Sequence, residues 1–244
     1  MDAEKATQKL LQARAKVGEH IALYRYSSSA NIQFLEQLLK QRSSGFAEFI
    51  AKKRIVDVGC GDGDVSFICE MMGAGSIFVI DSPNTAANHM NGVRALREEL
   101  KSRIHIYAGN IEEMELDFLG RADLVLFLGI LYHLPNPIRV LRKLSVVASH
   151  MFLSTRVFDV LPGKGDSMSS LQDCRLGYLL DPAEANNDNT NWWVLTEAGL
   201  KTMLSRSGWR IENVLRVGHP AGKAEPVSLE RDSRMFIYAR SLLV

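Results

Sequence analysis

The sequence predicts an α/β fold: a doubly wound, mostly parallel seven-stranded sheet with an antiparallel C-terminal strand. A helical extension over residues 1–45 precedes the main domain of residues 46–244. Three observations predict this. From residue 54 onward, short runs rich in β-branched residues alternate with segments of helical period, the order that gives parallel strands joined by right-handed crossovers. The runs are apolar almost without interruption, as strands covered on both faces are. The first run ends in the glycine cluster "VGCGDGD", where the first strand-to-helix turn of such a sheet supplies the floor of a binding site.

Residues 1 to about 42 read as two helices joined near "YRYSSS". "IVDV" is the first strand, and "DVSFICEMMG" is a helix ending at Gly73. "SIFVID" is the second strand. "TAANHMNGVRALREEL" then reads as one helix, because Met90, Val93, Leu96 and Leu100 recur along a single face. "RIHIYAG" and "ADLVLFLG" are the third and fourth strands. Asn136 offers a cap, and Pro137 takes the first position of the helix "IRVLRKLSVVA". "HMFLST" is the fifth strand, followed by a long polar stretch over residues 157–191. Loops of that length inside a compact domain are often functional. Leu195 and Leu200 flank Thr196 at staple spacing and start a helix that stops at Gly208. "WRIENVLRV" and "RMFIYAR" close the chain as a hairpin-like antiparallel edge. There is no internal repeat, and only "NNDNTN" is compositionally biased.

With 244 residues the chain holds one large domain, or one with an appendage. Its net charge of +1, with Lys and Arg scattered, gives no broad positive field for nucleic acid. Cys60, Cys69 and Cys174 form no C-x-x-C pair, so reduced thiols, no structural zinc and a cytoplasmic location are expected. "LVLFLGILY", residues 124–132, is the longest apolar run and is about half of what crosses a bilayer. The N-terminus lacks the apolar core of a signal peptide, and no membrane partner is expected.

Gly59, Gly61 and Gly63 let a ligand lie against bare backbone. A dinucleotide site would want G-x-G-x-x-G, yet the third position is Asp64, whose carboxylate repels a pyrophosphate. No Gly-Lys-Ser/Thr follows for a P-loop. A ligand with a cationic centre and no phosphate tolerates Asp62 and Asp64. S-adenosylmethionine (SAM) is such a ligand, with a cationic sulfonium and an ammonium that can pair with Asp57 or a nearby carbonyl. Asp81 ends the second strand about 20 residues past the glycines, where an acid can receive both ribose hydroxyls.

"VDVGCGDG" with "VID", "GNIEE" and "ADLVLFLGILYHLPNP" resembles the class I SAM-dependent methyltransferases in order and spacing, over roughly residues 50 to 240. The resemblance implies a Rossmann-like methyltransferase fold with SAM as cofactor. It places Asp57, Gly59, Cys60, Gly61 and Gly63 around the methionine half. Asp81 would take the ribose and Ser82 would flank the adenine. Asn110 and Ile111 would contact the adenine edge and face, and Leu128 and Gly129 would border the pocket. Other readings stand beside these: Asp81 caps its turn, Asn110 is a turn former, Glu112 is an exposed helix-start acid, and Cys60 matters through its backbone.

"LYH" followed by a proline turn, with the later "NNDNTNWWVLTEAGLKTMLSRSGW", is similar to the bacterial tRNA wobble-uridine (5-oxyacetic acid pathway) methyltransferases. That resemblance implies Tyr132 near the transferred group. In those enzymes a tryptophan- and lysine-containing N-terminal region helps bind a carboxylated SAM. This chain has no tryptophan before Trp192, so ordinary SAM is expected. His133 is a candidate general base, or else it orders the turn. Arg156 steers an acidic acceptor or forms a surface pair, and Trp192 and Trp193 form a wall of the acceptor pocket or place one ring in the core.

The N-terminal helices act as a lid with Tyr24 or Tyr26 facing the site, or they cover the sheet edge or pair in a homodimer. The expected function is methyl transfer from SAM to a small-molecule acceptor. The alternatives are modification of tRNA and SAM binding without catalysis.

Overall fold

The computed structural model describes residues 1–25, 27–40, 45–162, 168–171, 173–228 and 230–244. The chain forms two compact units, Met1–Leu126 with Val147–His150, and Phe127–Val146 with Met151–Val244.

In the first unit, helix α1 (Ala3–Gly18) is capped by Asp2, whose carboxylate accepts the Lys5 N–H. It buries Ala6, Leu10, Ala13 and Val17, the three- and four-residue spacing of one helix face. Helices α2 (Asn31–Leu39) and α3 (Phe46–Ile50) follow. Strand β1 (Arg54–Val58) leads into α4 (Asp64–Met71), and β2 (Ser76–Asp81) into α5 (Asn91–Leu100). Strands β3 (His105–Ala108) and β4 (Ala122–Leu128) complete an all-parallel order β4-β1-β2-β3. Placing β1 between β2 and β4 brings the carboxyl end of β1, with its glycine turn, beside that of β2. The first-strand turn therefore meets Asp81, as the spacing predicts.

The predicted helix over residues 85–100 begins only at Asn91. His89 and Met90 adopt left-handed backbone, with φ of 53° and 65°, which a continuous right-handed helix excludes. Long-range bonds hold the segment in that shape. The Asn88 amide donates to Asp62 Oδ1 and to the Ala22 carbonyl, and the Ala87 N–H donates to the Tyr24 hydroxyl.

The second unit holds α6 from Pro137 (Pro137–Val147, with Val147 itself in the first unit), at the proline that the sequence places there. Most of β5 (Ala148–Phe158) also lies in it. The stretch over residues 157–191 is more structured than a loop. It contributes β6 (Val160–Pro162) and β7 (Met168–Ser170), which pair antiparallel, and β8 (Gly177–Leu179). Strand β9 (Trp193–Thr196) pairs with β8 antiparallel and with β5 parallel. These four short strands add to the seven predicted. Helix α7 (Glu197–Arg206) starts from Thr196, whose hydroxyl accepts the Gly199 N–H. Strands β10 (Trp209–Gly218) and β11 (Ser233–Ser241) form the predicted antiparallel pair, in the order β10-β11-β5. Among the described residues no helix is long and apolar enough to cross a membrane.

Candidate functional site

The glycine turn of the first unit is built as the sequence requires. Gly59, Gly61 and Gly63 all have left-handed backbone, with φ of 71°, 56° and 81°, and side-chain-bearing residues would strain there. Asp81 is tied to the turn: Oδ2 accepts the Gly61 N–H at 2.8 Å and Oδ1 accepts the Ser82 N–H at 2.8 Å. Each oxygen keeps lone-pair capacity for a further donor. Burial raises the Asp81 pKa, opposed by those two N–H groups.

Asp57 is buried and accepts from Ser66 Oγ at 2.7 Å. Burial pushes its pKa up to about 7, against the Ser66 bond, with Asp81 and Asp64 adding repulsion. Among the described residues a neutral hydroxyl and two repelling acids act on this buried carboxyl and no cation does, and an ammonium fits that need. Cys60 is buried, with its thiol pKa raised by desolvation, and its Sγ donates to the Gly61 carbonyl at 3.6 Å.

The neighbouring acids are not free to meet a cationic ligand. Arg14, on α1, places Nη1 at 3.0 Å from Asp62 Oδ2 and at 2.7 Å from Asp64 Oδ1. Its Nη2 donates to the Tyr24 carbonyl. Asp62 also accepts the Tyr24 N–H, and Asp64 accepts from the Ser27 hydroxyl and the Ser28 N–H. The acids beside the turn thus bind the N-terminal segment. The Tyr24 ring lies 3.8 Å from where a Cβ on Gly61 would stand, so Tyr24 covers the turn; Tyr26 lies outside the described residues.

Asn110 spends both ends of its amide locally. Nδ2 donates to Glu113 Oε1 and Oδ1 accepts the Glu112 N–H, which is the turn-forming role. Ile111 is buried. Ser82 serves its own turn, its carbonyl accepting the Thr85 and Ala86 N–H groups.

In the second unit, a short 3-10 turn, Leu131–His133, follows Gly129. Leu128 is half-buried at the end of β4, and the Gly129 N–H donates to the Ser154 carbonyl. The Tyr132 and His133 rings lie 4.4 Å apart. His133 Nδ1 is 2.8 Å from Thr190 Oγ1 and 3.3 Å from the Thr190 carbonyl. Thr190 Oγ1 in turn donates to Asp188 Oδ1 at 2.6 Å. Both groups facing Nδ1 therefore act as acceptors, which puts the ring proton on Nδ1 and leaves the Nε2 lone pair available. Burial lowers the His133 pKa, with Arg234 in the same direction and Asp188 opposing, so the neutral, proton-accepting ring prevails at neutral pH.

Tyr132 carries two further links: its carbonyl accepts the Trp192 N–H at 2.7 Å, and its hydroxyl faces Arg234 Nη2 at 3.3 Å. Trp192 is 42% exposed, while Trp193 is half-buried with its indole N–H toward the Pro135 carbonyl. The structure thus groups Tyr132, His133, Trp192 and Trp193. Arg156 is no surface residue: it is 4% exposed and pairs with Asp232 at 2.7 Å.

Sequence reasoning missed Arg14, Asp188, Thr190 and Arg234. The Asp188-x-Thr190 spacing of an Asx turn, inside "NNDNTN", is the one signal that points to any of them, and the Thr190 N–H does bond back to Asp188 Oδ1.

A family described as "Methyltransferase domain" matches residues 22–214. A probable protein arginine N-methyltransferase 6.2 of Oryza sativa subsp. indica is 33% identical over 70 residues, 29% of this chain and 17% of that protein. The ribosomal protein arginine N-methyltransferase rmt3 of Schizosaccharomyces pombe is 28% identical over 124 residues, 48% of this chain and 22% of that protein. The chain thus spans less than a quarter of the length of these two relatives. The N-terminal domain of EvdMO1, crystallised in the presence of SAH and D-fucose, aligns with a TM-score of 0.58 at 15% identity. That alignment covers 99% of this chain and 97% of that one. A SAM-dependent methyltransferase from Mesorhizobium loti gives 0.57 at 17% identity, covering 78% and 92%. At these identities the likeness shows a shared fold, the mostly parallel α/β sheet with one antiparallel terminal pair.

Proposed function

Since the chain belongs to the methyltransferase-domain family, we propose that it is a SAM-dependent methyltransferase acting on a small-molecule acceptor. The observation that carries the reading is Asp81 clasped to the left-handed glycine turn by the Gly61 N–H. The SAH-bound neighbour supports SAM as the cofactor. Asp57 would hold the ammonium, the glycines the methionine backbone, and Asp81 the ribose diol. When bound, SAM supplies a methyl group activated by its sulfonium.

The protein's own work is positioning and proton removal. Orientation of two reactants can contribute about 7 kcal/mol or more of barrier reduction. His133 takes the acceptor's proton at Nε2, and the resulting imidazolium keeps its Nδ1–H on Thr190, with Asp188 behind it. An acceptor that carries no proton at the attacked atom needs no such base. Helices α1 and α2 act as a lid, fastened by Arg14 and covering the turn with Tyr24. Unbridged thiols support a cytoplasmic setting.

The names of the curated relatives raise protein arginine as an acceptor. The charge near Tyr132 argues against it, because Arg234 lies over that ring with its guanidinium carbon 5.6 Å from the ring centre. The net charge of +1 gives tRNA little to bind. A screen with methyl-labelled SAM over small-metabolite, tRNA and protein pools tests the reading. Label in a small-molecule fraction is the expected result. Label in tRNA or protein alone would replace the acceptor class, and silence in every pool would leave SAM binding without catalysis.

A further inference from the structure

Asp232 faces two cations among the described residues: Arg156 pairs with it, and its charge also acts on Arg234. Arg156 is buried on β5 and its Nε donates to Asp232 Oδ1 at 2.7 Å. Its Nη2 is also buried, and no hydrogen-bond partner faces it among the described residues. A buried guanidinium N–H left unpaired loses the hydrogen bonds it had in water, so a site that persists in this state suggests a missing acceptor. Arg234 follows Asp232 by two residues and so projects from the same side of an extended chain. Its Nη2 meets a phenol, the hydroxyl of Tyr132, at 3.3 Å. Its Nη1 and the same hydroxyl each lie 3.4 Å from where a Cβ on Gly129 would stand. A side chain at Gly129 would touch both groups, and the φ of +81° there disfavours any residue but glycine.

The formal charges are +1 for Arg156, −1 for Asp232 and +1 for Arg234, leaving +1. Asp188, the acid whose charge acts on His133, already accepts from the Thr190 hydroxyl and N–H through Oδ1. One unmet positive charge presented by planar forks matches a planar monoanion, because guanidinium groups bind carboxylates through paired N–H donors. A phosphate dianion would bring more charge than the pair can balance.

We propose that Arg156 and Arg234 bind a carboxylate on the methyl acceptor, with the Tyr132 hydroxyl as a third donor. The assignment to the acceptor rests on the methyl-transfer reading, and the anion site itself does not. The carboxylate serves as a handle, which leaves the rest of the acceptor free to present its reacting atom.

Binding of a fluorinated panel, each scaffold offered both as its carboxylic acid and as its primary amide, reads the site directly by fluorine NMR. The starting pair is 4-(trifluoromethyl)benzoate and 4-(trifluoromethyl)benzamide, and SAH is titrated into the same samples. The expected result is binding of acids and not amides, weakened at least tenfold in Arg234→Gln and in Arg156→Gln, with SAH affinity unchanged. Arg156→Lys restores part of the acid binding by returning the charge. If Arg156→Gln fails to fold, as judged by far-UV circular dichroism, Arg234→Gln decides alone. Acids and amides binding alike, no acid binding at all, or an Arg234→Gln variant that binds acids as the wild type does would each overturn the proposal. Selective acid binding without any SAH binding would uphold the anion site and overturn methyl transfer.

Discussion

The Arg14 guanidinium lies 2.7 Å from Asp64 Oδ1, joining α1 to the first residue of the helix that follows the glycine turn. With Asp62 on the same nitrogen at 3.0 Å, one cation serves two carboxylates that are almost wholly buried. Removing it leaves both charges without their ionic partner, a change that typically costs about 3–5 kcal/mol. Arg14→Met is therefore expected to lower the urea midpoint by an amount equivalent to about 3 kcal/mol, and Arg14→Lys by less. An Arg14→Met midpoint equal to that of the wild type would show that the clasp carries no stability.

Asp57 sets a pH dependence whose sign follows from its raised pKa. The folded protein keeps this proton up to about pH 7, whereas the unfolded chain loses it near 3.8. The contribution is fully present below the unfolded value and is lost as pH rises through the folded one. Stability from this group thus falls between roughly pH 4 and pH 7, and Asp57→Asn flattens that part of the urea-derived profile.

An ammonium prefers the Asp57 carboxylate, so SAM binding below pH 7 expels the proton and affinity rises as pH approaches 7. Calorimetry at pH 6 in two buffers of different ionisation enthalpy is expected to show proton release on SAH binding. The Asp57→Asn variant releases none and binds roughly 10- to 100-fold more weakly, the loss of one charge-assisted bond.

His133 predicts the acid side of the rate profile. As a base it must be neutral, and burial holds its pKa below the ordinary 6.5. With an acceptor in hand, kcat/KM is expected to fall only below that value as pH drops. His133→Ala loses about 10²- to 10⁴-fold. Thr190→Val, which removes the nearer of the two acceptors at Nδ1 and keeps the carbonyl, loses less and moves the acid limb. A Thr190→Val profile superimposable on the wild type would remove Thr190 from the relay.

Much of the fold was legible because each element carries its own local signal. Pro137 opens α6 and Thr196 caps α7 because missing donors and hydroxyl acceptors act within one turn of chain. The glycine turn with Asp81 was readable for a similar reason: the strand and its crossover fix their separation in sequence. The misread helix start at residue 85 shows the limit. Its apolar period is real, but Asn88 and Ala87 are drawn to Asp62, Ala22 and Tyr24 more than 20 residues away. Gly92 carries the same message, since a Cβ there would stand 2.0 Å from Asp62 Oδ1. Arg14 is separated from its acids by 48 and 50 residues, and Arg234 from Tyr132 by 102. No periodicity links such pairs, so the acids beside the glycines looked available to a ligand when they were already paired.

The central claim is that the glycine turn and Asp81 hold SAM, and calorimetric titration tests it most directly. SAH is expected to give one-site heat, weakened about 10- to 100-fold in Asp81→Ala as its charge-assisted bonds are lost, while NAD gives none. Heat from NAD with none from SAH, or SAH affinity unchanged in a folded Asp81→Ala variant, would contradict it.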